Sequence, residues 1–156
     1  LMLPGSTEVC RALPWFDHWR VVVSYPGTVI STQAAREVLP NNLPRADAIE
    51  YAGLLSRFVS ALYTRNESEA LASLRDVMAE PYRQSLIPEL PYLRTLCSEA
   101  GIPHLGISGS GPTLFAVCTD ALQADAAARI FQRHYEKNPD AMTHICQMAE
   151  QGARAL

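Results

Sequence analysis

The stretch GISGSGPTLFAVCT, Gly106 to Thr119, limits what this chain can fold into more than any other segment. Three glycines and two serines fall within six residues, and an apolar, β-favouring run follows at once. Glycine costs chain entropy to order, so a cluster this dense marks backbone that must take conformations a Cβ forbids or must lie close to something. The flanks, His104 to Ile107 and Thr113 to Cys118, are rich in strand formers, which predicts two strands around a glycine-rich turn. Three familiar loops are excluded by the letters. A Walker A loop needs Gly-Lys-Ser/Thr, and no lysine is near. A dinucleotide fingerprint needs a third glycine where Leu114 stands and a helix after it. A nucleophile elbow needs G-x-S-x-G, whereas Gly106-Ile107-Ser108-Gly109-Ser110 ends in serine. What is left is a bed of amides and hydroxyls suited to an anion or another backbone.

The remaining chain reads as alternating elements. Trp15 to Tyr25 is aromatic and β-branched and stops at Pro26-Gly27, a strand signature. Ser31-Thr32 cap a short helix over Gln33 to Leu39, stopped by Pro40. Asp47 to Thr64 carries apolar residues in steps of three and four, and Asn66 opens a second amphipathic run with Ala70, Leu71, Leu74, Val77 and Met78 on one face. Tyr92 to Ala100 is helical and closes at Gly101. Leu122 to Tyr135 is helical, with Leu122, Ala126, Ala127, Ile130, Phe131 and His134 on one face, and Thr143 to Met148 is a last strand. This order predicts an α+β, two-layer sandwich: an antiparallel sheet of about four strands with helices packed on one face. The Leu122–Tyr135 crossing is half of a split βαβ unit.

The 156 residues suffice for one domain with a real core. At 48% apolar and 19% charged, disorder is excluded. A net charge of -3 leaves no basic footprint for nucleic acid. No apolar run is long enough to span a bilayer, and no charged, apolar and small-residue succession marks an export signal. Cys10, Cys97, Cys118 and Cys146 lack C-x-x-C spacing and read as reduced core thiols of a cytoplasmic protein. His18, His104, His134 and His144 have no metal-binding spacing, and His144 reads as a structural, partly buried histidine. The opening LMLPGS has no initiator methionine, so the chain is expected to be cut from something longer, with Leu1-Met2-Leu3 the tail of a strand.

Gly106 to Ala116 resembles the C-terminal glycine motif of the GHMP kinases, the family of galactokinase, homoserine kinase, mevalonate kinase and phosphomevalonate kinase. Tyr25-Pro26-Gly27, Ser31 to Arg36 with Leu39-Pro40, Asp76 to Arg83 and Thr143 to Cys146 narrow the resemblance to the C-terminal half of bacterial homoserine kinases, over about residues 1 to 155. The ferredoxin-like fold of that domain is what the resemblance implies. So is the activity: ATP-dependent phosphorylation of the L-homoserine hydroxyl, giving O-phospho-L-homoserine for threonine synthesis.

The family's phosphate loop, P-x-x-x-G-L-G-S-S-A, does not occur in this sequence. The resemblance therefore implies that ATP and Mg²⁺ are held mainly by an N-terminal domain absent from this chain, and that residues 1–156 are inactive alone. By position, Arg36 and Arg83 match the family's carboxylate-binding arginines, a task suited to a planar guanidinium fork. Ser108, Gly109, Ser110, Gly111 and Thr113 match its phosphate-side glycine-rich loop. No residue here matches a general base or a metal ligand. Glu50-Tyr51-Ala52-Gly53-Leu54 lacks the histidines that some relatives carry there. L-homoserine is the expected small-molecule partner, with a homodimer possible. Another GHMP kinase acting on a mevalonate-, sugar- or shikimate-type alcohol, and a non-catalytic amino-acid-binding module, are the alternatives.

Overall fold

The structure is a computed structural model and describes residues 12–149. Its four strands are β1 (Arg20–Tyr25), β2 (His104–Ile107), β3 (Leu114–Cys118) and β4 (Met142–Cys146). They form one sheet in the order β2-β3-β1-β4, antiparallel throughout. The glycine segment is the β2–β3 turn, as its flanks predict, with Gly106 opposite Phe115 and Ile107 opposite Leu114.

Two helices, α5 (Leu90–Glu99) and α6 (Ala121–His134), cover one face of the sheet. Strand alternation sends Val22, Leu105, Leu114, Ala116 and Cys118 into that layer. Leu93 of α5 and Ala127 and Phe131 of α6 meet them there, all fully buried. Asp120 starts α6 by accepting from the Gln123 amide at 2.8 Å, and Arg133 and His134 in its last turn suit the helix dipole. Gly101, at φ +73°, ends α5 in the left-handed conformation that glycine adopts without strain. The α+β fold on a four-stranded antiparallel sheet thus stands, but the helices are not confined to one face as expected, because the alternate side chains of β3 are apolar too and need their own cover.

The opposite face carries a smaller pack. Phe115 and Val117, the other register of β3, meet α2 (Arg45–Tyr63) and α3 (Glu67–Ala72) around Trp19, Ala61, Leu62 and Ala70. The segment expected to be strand from Trp15 pairs only from Arg20, because the β1–β3 register ends at Arg20 opposite Cys118. Its aromatic residues close the α2–α3 cluster instead. Phe16 stacks on Trp19 with ring centroids 4.7 Å apart, and the Trp19 indole donates to Glu67 at 2.6 Å. That bond holds the Glu67 carboxyl below its usual range, with His18 adding to the effect.

Two short helices lie beside the turn, α1 (Thr32–Glu37) and α4 (Glu80–Arg83), the latter running into a 3-10 turn at Gln84–Leu86. The Asn66 run stops at Ala72, short of Met78. Asp76 competes for the backbone there: its carboxylate accepts from the amides of Met78, Ala79 and Glu80 at 2.8, 2.8 and 3.2 Å, starting α4. Three smaller expectations also change. Leu122 is 80% exposed because it lies in the first turn of α6, beyond the sheet's cover. Cys146 and His144 are exposed because β4 is an edge strand; Cys97 and Cys118 are buried and unpaired, as expected. Cys10 and Leu1–Leu3 lie outside the described residues.

Candidate functional site

The β2–β3 turn is held from several sides. Internally, the Ser108 amide donates to Thr113 at 2.8 Å and the Gly111 amide to Ser108 at 3.1 Å. Gly109 and Gly111 take φ of +60° and +79°, the left-handed region where a side chain is strained. A Cβ on Gly111 would also stand 3.0 Å from the Ile87 methyl at the end of the 3-10 turn. From the α6 side, the buried Tyr135 hydroxyl donates to the Pro112 carbonyl. The amides of Gly109 and Ser110 find no acceptor among the described residues, and Ser108 and Gly109 are exposed. The Ser110 hydroxyl donates to the Gly111 carbonyl at 3.4 Å, so two amides and the Ser108 hydroxyl remain for an anionic oxygen.

Arg83 closes the loop against α1. Its Nε donates to the Ala35 carbonyl at 3.2 Å and its Nη1 to the Gly109 carbonyl at 2.8 Å. Ala35 is fully buried in α1, whose Ser31 cap accepts from the Ala34 amide at 3.0 Å, and Arg36 is the next residue, exposed. The Arg36 side chain forms no ion pair or hydrogen bond among the described residues. Backbone contacts thus join the arginine at 83, the neighbour of the arginine at 36, and the glycine turn. Two of the five N–H donors of Arg83 serve backbone carbonyls, and three remain.

Behind α4 lies a polar cluster that the spacing of residues does not announce. Glu80 and Arg94 form an ion pair linking α4 to α5; the Glu80 side chain is 16% exposed and that of Arg94 40%. Burial raises the Glu80 carboxyl above its ordinary value, outweighing the pull of Arg94, and the charge of Asp76 adds to the rise. His104 lies beside them at the start of β2. Burial, followed by the charge of Arg94, lowers its imidazole from 6.5 to about 4. Its ring rests near that of Phe115, with centroids 5.5 Å apart, across Gly106. A Cβ at Gly106 would come within 2.9 Å of both rings, which explains the first glycine of the cluster: it makes room for two rings rather than for a bend. These rings floor a cavity of about 470 Å³ walled by Leu54, Phe58 and Met78. The one sequence signal for this cluster was the Asp76 side chain placed just ahead of the Glu80-Pro81 helix start.

Among the described residues, no group of three or more His, Cys, Asp or Glu could hold a metal ion. The Asp76 carboxylate accepts from three amides, and Glu80 is paired with Arg94. No described helix is long and apolar enough to cross a membrane.

The model for the GHMP kinases C terminal matches residues 58–137, just over half the chain, and the chain belongs to that family. Its backbone also follows solved kinases. With homoserine kinase from Cytophaga hutchinsonii the TM-score is 0.81 at 25% identity, covering 90% of this chain and 45% of that one. With 4-(cytidine 5'-diphospho)-2C-methyl-D-erythritol kinase the TM-score is 0.56 at 18% identity, covering 92% and 47%, a likeness of fold alone. The chain spans about half the length of either.

Proposed function

We propose that this chain is the substrate-side half of an ATP-dependent kinase for the side-chain hydroxyl of L-homoserine. One observation carries the reading: Arg83 grips α1 and the glycine turn at once, at 3.2 and 2.8 Å, with donors to spare. Homoserine presents a carboxylate that takes no part in the reaction. Gripping that remote group fixes where the hydroxyl sits, which is how binding energy far from the chemistry lowers the barrier. The remaining N–H groups of Arg83, joined by Arg36, suit a carboxylate. The free amides of Gly109 and Ser110 suit phosphate oxygens approaching from an ATP-binding half elsewhere in the protein. ATP, when bound there, supplies the phosphoryl group. This chain contributes position and hydrogen-bond donors and no general base, in keeping with phosphoryl transfer's reliance on placement. The proposed setting is the cytoplasm, where ATP is abundant and buried thiols such as Cys97 and Cys118 stay reduced.

The test is turnover of ATP with L-homoserine by the protein containing both halves, beside mevalonate as a competing alcohol. Arg83→Ala is expected to raise the KM for homoserine about thirtyfold, the loss of a charge-assisted bond of about 2 kcal/mol, while the KM for ATP stays put. Turnover of mevalonate without homoserine, or an unchanged homoserine KM in the variant, refutes the assignment.

A further inference from the structure

We propose that Arg94 is a positioning residue for carboxylate recognition: it fixes Arg83 by holding Glu80, and with it α4, in place. The inference rests on the homoserine reading above, and it adds a residue on another helix that carries no motif of its own.

Arg83 sits on an element that cannot hold its own shape. The α4 helix is four residues long, and its cap residue Ala79 offers no side-chain hydrogen bond. A helix this short has no cooperative stability, so its geometry comes from whatever grips it. Three grips are visible. In front, the Asp76 carboxylate accepts from the three amides of residues 78–80. At the far end, Arg83 itself reaches the carbonyls of Ala35 and Gly109. At the side, Glu80 is paired with Arg94 of α5. The last grip ties the Glu80 end of α4 to α5, which is rooted in the core layer through Leu90, Leu93 and Cys97, while Leu86 and Ile87, just past Arg83, anchor the other end there.

The charge balance makes Arg94 the sensitive member of the pair. Glu80 is largely buried and Arg94 is its ion-pair partner. Asp76, a second negative charge, is close enough to raise the Glu80 carboxyl. Without Arg94, Glu80 would lose its ion-pair partner beside the negative charge of Asp76, with Arg75 in the same cavity already paired to Glu50, and its carboxylate would turn toward water. Glu80 and Arg83 lie three residues apart, on one side of a helical turn. A turn of α4 that carries Glu80 outward therefore moves Arg83 relative to its two carbonyl anchors. In this way Arg94 acts on substrate without touching it.

The experiment uses the protein with both halves, ATP and L-homoserine, and compares Arg83→Ala, Arg94→Met and Arg94→Lys. Arg94→Met is expected to raise the homoserine KM about tenfold while kcat and the KM for ATP change less than about twofold. Arg94→Lys, which keeps the charge, is expected to restore most of the affinity. In parallel, the Arg83 Nε–H resonance in a ¹⁵N spectrum reports the bond to Ala35, and Arg94→Met should move it and speed its exchange with water. If Arg83→Ala raises the homoserine KM and Arg94→Met does not, the positioning role is wrong and the homoserine reading stands. If Arg83→Ala leaves that KM unchanged, the homoserine reading fails and this inference with it. A uniform loss of kcat, both KM values and melting temperature in Arg94→Met would show general loosening and would also overturn it. Should that variant fail to fold, Glu80→Gln takes its place, with the same resonance and KM split expected at smaller size.

Discussion

Replacing Tyr135 by Phe isolates one bond that shapes the glycine turn. The ring is 1% exposed and its hydroxyl donates to the Pro112 carbonyl, itself buried. No other donor reaches that carbonyl among the described residues. The substitution keeps the ring and its contact with Phe131, so no cavity opens. What is lost is the bond, and what remains is an unpaired buried carbonyl, together costing about 2 kcal/mol. For a chain of this size that corresponds to a fall in Tm of roughly 4–8 °C. Burial, with the Glu89 charge adding to it, raises the Tyr135 phenol well above its ordinary value, so the hydroxyl stays a donor through mildly alkaline buffers. Urea unfolding of the chain measures the loss, and the slope m should be unchanged because the exposed surface is the same. Tyr92→Phe, at a ring 55% exposed, is the matched control and should stay within about 0.5 kcal/mol. A loss below about 0.5 kcal/mol for Tyr135→Phe would mean that water or backbone adjustment satisfies Pro112, and the turn is not held from α6.

Gly106→Ala should cost about 1–3 kcal/mol in urea melts, because the new methyl meets two packed rings; a neutral result would show that His104 and Phe115 move aside freely. His104 is lowered from 6.5 to about 4, so it favours the fold as a neutral ring. Its contribution is complete above about pH 6.5 and is lost as pH falls toward 4; melts of His104→Gln across that window should show a flatter pH dependence than the parent. Burial pushes the Cys97 thiol up to about 11 and the Cys118 thiol up to about 12. In native protein at pH 8, mass mapping after a thiol reagent should find both unmodified while the exposed Cys146 reacts; rapid labelling of Cys118 would contradict the core packing.

Local periodicity made the sheet and its covering helices legible. Strand formers on both sides of the glycine cluster gave β2 and β3, and the steps of three and four in residues 122–135 gave α6. Composition misled where aromatic residues serve a loop: Trp15, Phe16 and Trp19 look like strand and instead seal α2 against α3. Periodicity also carried the Asn66 helix too far, because Leu74, Val77 and Met78 keep the spacing after Asp76 has redirected the backbone. Arg83 and the glycine turn could be singled out from motif resemblance, and the carbonyl bonds then place them in contact. The Glu80–Arg94 pair could not be singled out. Its members are fourteen residues apart on separate helices, and although Glu80 falls within the Asp76–Arg83 resemblance, nothing around Arg94 distinguishes it from a surface charge. The role of Gly106 was equally hidden, since a glycine that yields space to rings looks like one that bends a chain.

A turn fastened to α4, to α6 and to the 3-10 segment has little freedom left to mould itself around an incoming molecule. Its ordering entropy is spent when the chain folds, so docking there should show a small entropic penalty and little change in backbone exchange rates. Any slow adjustment on binding would then fall to the opposing surface, which would close onto a rigid anvil.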